Sequence, residues 1–217
     1  MNIRSVVSVL TLVVLVGCSG PEPADEQAPP ASGGEPAASG GAAPSAAADG
    51  DGWMTLFDGS SLDQWQSVGD ANWRVVDNTV RADDGSGVLL SKDSYDDFDL
   101  RLEFWVDEPA NSGVFLRCSD PAQVNDRTCY EVNIFDTRPD QTYRTGAIVN
   151  VAEPRAMINV GGRWNDYQIT GDGTHLTVRL NGTLTVDTED DTYSRGPIAL
   201  QRGAGVVIFR DVRIRPR

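Results

Sequence analysis

Three stretches between Asp99 and Asp136, DLRLEFWV, NSGVFLRC and CYEVNIFD, alternate apolar and polar residues with a period of two, which commits this part of the chain to β-strands. In the first, Leu100, Leu102, Phe104 and Val106 share one side and leave Arg101, Glu103 and Trp105 on the other. In the second, Val114 and Leu116 oppose Phe115 and Arg117. In the third, Tyr130, Val132 and Ile134 oppose Glu131, Asn133 and Phe135. Any one strand of a half-solvated antiparallel sheet shows such alternation without a ligand. Three neighbouring strands, however, would pool arginine, carboxylate, amide and aromatic ring on one face, the chemistry of a sugar-binding surface.

Shorter pieces repeat the pattern. Trp73 to Val76 and Thr79 to Ala82 flank Asp77-Asn78, a hairpin signal, and Gly87 to Ser91 reads as a brief strand. Asp166 to Thr170 follows Trp164. His175 to Leu180 and Thr183 to Asp187 enclose Asn181-Gly182, whose tolerance of positive φ suits a type I′ turn. Ile198 to Gln201 and Val206 to Ile214 follow, with Gly203-Ala204-Gly205 as their connector. No long window carries an apolar stripe at helical spacing. An all-β antiparallel sandwich or barrel is the expected fold class.

The first 50 residues have a different character. Met1 to Cys18 carries one basic residue, Arg4, and the apolar run Val6 to Val16, placed like the h-region of a signal peptide. It ends in Leu15-Val16-Gly17-Cys18, which resembles the lipobox of bacterial lipoproteins and implies lipidation of Cys18. Ser19 after that cysteine implies a bacterial cell envelope location at the outer membrane. Of the 32 residues from Ser19 to Gly50, 26 are Ala, Gly, Pro or Ser, so this segment is expected to be a disordered tether. Asp51 to Arg217 is then one domain of ordinary size.

That domain holds 17 basic and 27 acidic side chains, a net charge of −10. Such a surface repels nucleic acid and anionic lipid, so the lipid on Cys18 is the only membrane contact expected. With Cys18 set aside, Cys118 and Cys129 form an even pair in an exported domain, and a disulfide between them is predicted. Two cysteines and the lone His175 do not supply a zinc set.

Several segments together resemble one family. They are Trp53-Met54-Thr55-Leu56-Phe57-Asp58-Gly59 with Leu62-Asp63 and Trp65, Asn111 to Arg117, Tyr130-Glu131-Val132 through Asp136, and Thr145-Gly146-Ala147. Trp164-Asn165, Leu180-Asn181-Gly182, Gly196-Pro197-Ile198 with Leu200-Gln201, and the ending Phe209 to Ile214 complete the set. In this order they are similar to the 3-keto-disaccharide hydrolase family. The resemblance implies a concanavalin-A-like jelly roll, often borne on lipoproteins, acting on glycosides oxidised to a ketone at sugar carbon 3. It covers essentially all of Trp53 to Arg217. The chain departs from the family pattern at Arg202-Gly203-Ala204, where the pattern has Asp-His-Gly, and at Asn133, where it has Gln.

A ketone at carbon 3 acidifies the proton on carbon 2, so its removal gives an enolate that expels the group on carbon 1. The protein must supply a base and groups aimed at the enolate oxygen. Glu131 is the candidate base or metal ligand, Arg117 the oxyanion partner and Glu103 a further catalytic candidate. Arg101, Asn111, Asn133 and Gln201 are candidates for sugar hydroxyls, and Trp105 and Phe115 for stacking on a pyranose. A divalent cation held through oxygen is left open as cofactor. His175 points to solvent by the alternation of Leu176, Val178 and Leu180. The alternative reading is a lectin-like module that holds glycans without turnover.

Overall fold

Short apolar runs, cut by residues that accept positive φ, build the strands of residues 50–217, the part of the chain that the computed structural model describes. The expected signal segment, the lipidation of Cys18 and the tether through residue 49 lie outside the described residues. In chain order the strands are β1 (Met54–Phe57), β2 (Trp65–Gly69), β3 (Arg74–Val76), β4 (Thr79–Ala82), β5 (Gly87–Tyr95), β6 (Phe98–Val106) and β7 (Asn111–Leu116). They continue as β8 (Tyr130–Ile134), β9 (Trp164–Asp172), β10 (His175–Leu180), β11 (Thr183–Glu189), β12 (Gly196–Ala204) and β13 (Val207–Pro216). The described residues contain no α-helix, only a 3-10 turn at Gln141–Tyr143.

Turn chemistry fixes the hairpins. Asp77 (φ 49°) and Asn78 (φ 59°) join β3 to β4, and Asn181 (φ 50°) and Gly182 (φ 77°) join β10 to β11. Both central residues of each turn have positive φ, as type I′ geometry requires.

Two antiparallel sheets result. The larger has the order β11-β10-β9-β6-β13-β4-β3, with β1 on β13, and the smaller has the order β2-β5-β12-β7-β8. Between them lies one apolar core drawn from both, including Leu100, Leu102 and Phe104 of β6, Val114 and Leu116 of β7, and Tyr130, Val132 and Ile134 of β8. This is the jelly-roll sandwich the resemblance implied. The opening Leu56, Phe57 and Trp65 are core residues, and the Trp65 indole donates to Leu56 O at 2.7 Å.

Two expectations are corrected. The connector drawn as Gly203-Ala204-Gly205 is tighter, because β12 runs through Ala204 and the chain turns at Gly205 (φ 74°). More important, β6 does not neighbour β7. It pairs with β9 and β13 in the larger sheet, whereas β7 pairs with β8 and β12 in the smaller. Periodicity assigns a residue to one side of its strand; it does not say which sheet the strand joins. Both apolar faces turn to the shared core, so the polar faces of β6 and of β7–β8 look outward on opposite sides of the molecule.

Candidate functional site

The outer face of the smaller sheet carries the cluster with site chemistry. Register places Ala199, Phe115 and Glu131 in one row across β12, β7 and β8, and Gln201, Gly113 and Asn133 in the next row of that face. The first row is largely sealed. Phe115 packs with Val88, Leu90, Ala199, Cys118 and Cys129 in a second apolar cluster, and it is 1% exposed. The expectation of Phe115 as a stacking platform is therefore corrected: the disulfide-closed loop covers its ring. The predicted Cys118–Cys129 disulfide is present.

Next to that seal the face turns polar. Gly113 lies between Gln201 and Asn133 and has no side chain, so Glu131 leans across it. A Cβ built on Gly113 would stand 3.2 Å from Glu131 Oε1 and 3.3 Å from its Cγ. Asn111 continues the face beside Gly203, where a Cβ would meet Asn111 Nδ2 at 3.1 Å.

Three groups on this face are undersupplied. Asn133 is fully buried; its amide nitrogen donates to Tyr143 O, which leaves Oδ1 as a buried acceptor with no donor. Gln201 Oε1 is likewise buried without a donor. The Glu131 carboxyl, with its residue only 8% exposed, has no hydrogen-bond or ion-pair partner among the described residues. Burial, reinforced by the charge of Asp126 and opposed by that of Arg138, pushes its pKa up to about 7. Buried acceptors are normally satisfied, so two donorless amide oxygens beside an unpartnered carboxyl mark a place built for something else.

The rim comes from the segment between β8 and β9. Its residues Gly146 to Val149 hydrogen-bond along β8, through Gly146 N to Asn133 O, Asn133 N to Ala147 O and Val149 N to Glu131 O. Asp136 ties both ends of the segment. Its carboxylate accepts from Thr145 Oγ1 at 2.6 Å, Val160 N at 2.7 Å, Gly161 N at 3.2 Å and Arg144 at 3.4 Å. Arg138 lies in this rim, half-buried, its guanidinium without a hydrogen-bond partner among the described residues and close enough to act on the charge of Glu131. Periodicity could not have found Arg138, which sits outside any strand.

The remaining sequence candidates fall elsewhere. Arg117 has φ 50°, which swings its side chain away from Glu131. Its guanidinium, 1% exposed, donates to Asp96 O at 2.7 Å, Gly173 O at 2.7 Å, Tyr193 O at 3.2 Å and Asp97 Oδ1 at 3.0 Å. It is a structural clamp, buried and with four of its five N–H groups committed away from Glu131. Arg101, Glu103 and Trp105 lie on the outer face of the larger sheet: Arg101 stacks on Trp53, Glu103 pairs with Arg210 at 2.5 Å, and Trp105 stands opposite Trp164. They are removed from Glu131, on the opposite sheet. His175 is exposed, as its position on the strand implied, and the structure pairs it with Asp187.

Residues 52–215 match the model of the 3-keto-alpha-glucoside-1,2-lyase-like domain family. The chain belongs to this family. A 3-keto-disaccharide hydrolase from Bacteroides thetaiotaomicron is 30% identical over 123 residues, covering 47% of this chain and 42% of the relative. The chain thus spans less than half of that relative's length. Among solved structures, a protein from Parabacteroides distasonis provisionally assigned as a glycosyl hydrolase superposes with a TM-score of 0.69 at 18% identity, covering 77% of this chain and 94% of that one. The carbohydrate-binding module CBM66 from Bacillus subtilis superposes with a TM-score of 0.53 at 19% identity, covering 74% and 93%. At these identities the structures share the fold.

Within this 3-keto-alpha-glucoside-1,2-lyase-like domain, oxygen donors for a hard divalent cation on the site face would be Glu131 and the two free amide oxygens. No group of three or more His, Cys, Asp or Glu among the described residues is arranged to hold a metal.

Proposed function

We propose that the domain cleaves the glycosidic bond of 3-keto-glycosides, with Glu131 as the base that takes the proton from sugar carbon 2. One observation carries the reading: a buried carboxyl with its pKa near 7 and no partner, set over a glycine between two amide oxygens that lack donors. A base of that pKa is half ionised near neutrality and still strong enough to accept a carbon-bound proton acidified by the neighbouring ketone.

The C2–H bond breaks, its proton passes to Glu131, and its electron pair forms the enolate of the carbon 3 ketone. The ketone re-forms as the bond from carbon 1 to the leaving oxygen breaks, which gives a 3-keto-2-hydroxyglucal and, after protonation, the free aglycone. Addition of water to the double bond completes hydrolysis. Arg138 supplies positive charge near the developing enolate, the role first given to Arg117. Asn133 Oδ1 and Gln201 Oε1 accept from sugar hydroxyls and so fix the ring. The disulfide supports an oxidising location, in keeping with an exported chain anchored through Cys18.

A second reading, carbohydrate binding without turnover, draws on Gly203, which leaves the face without a side chain where the family pattern has histidine. The test is to incubate the full chain with a 3-keto-glucoside bearing a chromogenic aglycone, with chelator or with added divalent metal. Aglycone release that rises with pH through about 7 and is lost in Glu131→Gln supports the enzyme. Saturable binding with no release under any condition overturns it in favour of the binding module.

A further inference from the structure

The outer face of the larger sheet holds a depression lined by Asp99, Arg101, Gln168, Thr170, Arg179 and Arg215 together with Thr177. Register sets Arg101, Gln168 and Arg179 in one straight row across β6, β9 and β10. On the other side of Arg101 the row continues to Arg213 of β13. Like charges directly opposite each other on adjacent strands are destabilising. Here they persist in a domain whose net charge is −10, where carboxylates are plentiful.

Of the carboxylates nearby, Asp99 and Asp211 are committed to other arginines, Asp187 opposite Thr177 is paired with His175 and Arg155, and Asp166 takes only a 3.5 Å contact from Gln168. Asp99 accepts from Arg215 at 2.7 Å, Arg217 at 3.2 Å and Thr170 Oγ1 at 2.8 Å, and Asp211 holds Arg213 at 2.6 Å. Arg101 has no carboxylate partner among the described residues. Its guanidinium lies 4.7 Å from the Trp53 ring centroid, which holds the plane in place and leaves its N–H edge free. Arg179 donates once, to Gly182 O at 3.3 Å, and the Thr177 hydroxyl has no hydrogen-bond partner among the described residues. The depression therefore offers preorganised cationic donors with neutral hydroxyl and amide groups beside them, the reverse of the molecule's overall charge. Screening over about 8 Å at physiological ionic strength lets that local field act on a short ligand despite the acidic remainder.

We propose that this depression is a second binding site, in which Arg101 and Arg179 take the carboxylate of an acidic saccharide while Gln168 and Thr177 meet its hydroxyls. The saccharide part rests on the carbohydrate reading of the domain; the anion part rests on the arginine row alone. The site stands on the opposite sheet from Glu131, so it would hold an acidic glycan while the catalytic face works on a separate sugar.

The experiment is a calorimetric titration of the full chain with trigalacturonate, with neutral galactotriose of the same length, and with inorganic phosphate. The expected result is saturable binding of trigalacturonate alone, weakened at least tenfold in Arg101→Gln/Arg179→Gln, whose two side chains are exposed and whose fold is checked by circular dichroism. Thr177→Val should weaken it less, and Glu131→Gln should leave it unchanged. Absence of saturable trigalacturonate binding, or equal affinity in the double variant, overturns the proposal. Equal affinity for galactotriose overturns the role of charge, and phosphate binding as tightly overturns the saccharide. Aglycone release is read separately, so failure here leaves the Glu131 assignment to its own test.

Discussion

Arg117 and Asp97 meet at 3.0 Å where the end of β7 reaches the turn that carries the chain from β5 in its own sheet to β6 in the opposite one, and the arginine is buried while the aspartate is partly open. The same guanidinium satisfies three main-chain carbonyls, on Asp96, Gly173 and Tyr193. One side chain thus fastens three separate segments at one end of the sandwich.

Replacing it should damage stability before chemistry. Arg117→Met leaves three carbonyls without their donor, and an unsatisfied buried acceptor costs on the order of 1 to 3 kcal/mol. We expect a loss of about 3 kcal/mol or more in urea unfolding. The specific activity of the remaining folded protein should change little, whereas a role at the enolate would abolish it.

Glu131 should make stability fall with rising pH. Below its ordinary value of 4.5 the carboxyl is neutral in both folded and unfolded chains, and its burial carries no ionic penalty. Between 4.5 and about 7 the unfolded chain ionises first, so stability drops across that window. The total is on the order of 3 kcal/mol. Glu131→Gln should therefore be more stable than the parent at pH 8, with the difference closing below pH 5, while turnover is lost. A variant no more stable at pH 8 would contradict the burial of the carboxyl.

Gly113→Ala tests the close approach of Glu131 over the glycine. The new methyl would press on Glu131 Oε1 at 3.2 Å and on Val132 O at 3.3 Å, and the carboxyl can swing away more easily than the main chain. The fold should survive with a melting temperature within a few degrees of the parent. Aglycone release should fall at least tenfold because the base is displaced.

Reducing the Cys118–Cys129 bridge should cost about 3 kcal/mol by the loop-closure estimate, and it uncovers Phe115. Thermal unfolding with and without reductant measures the first effect. Mass spectrometry after alkylation without reductant should find no free thiol at either position.

Much of the architecture was legible because it depends on local chemistry. Asp77-Asn78 and Asn181-Gly182 announce their turns, and the alternation of Leu100 to Val106 announces its buried side. Partnership between strands is a property of the whole chain, which is why β6 was grouped with β7 and β8. Glu131, Asn133, Asn111 and Gln201 do share a face, since the three strands that bear them are adjacent. Arg117 escaped because one left-handed residue at a strand end overrides the period, and Arg138 because a rim residue has no period to read. The first strand β1 and β2 were also missed, because neither belongs to a hairpin announced by a turn such as Asp77-Asn78.

Asp136 gathers donors from both the near and the far end of the long excursion between β8 and β9. With its base cinched in this way, the excursion can trade residues such as Arg138 or Tyr143 without loosening the β8 ladder beneath Glu131. If Glu131 is the base proposed above, substrate preference could be rewritten in one stitched loop while that carboxyl stays where the sheet holds it.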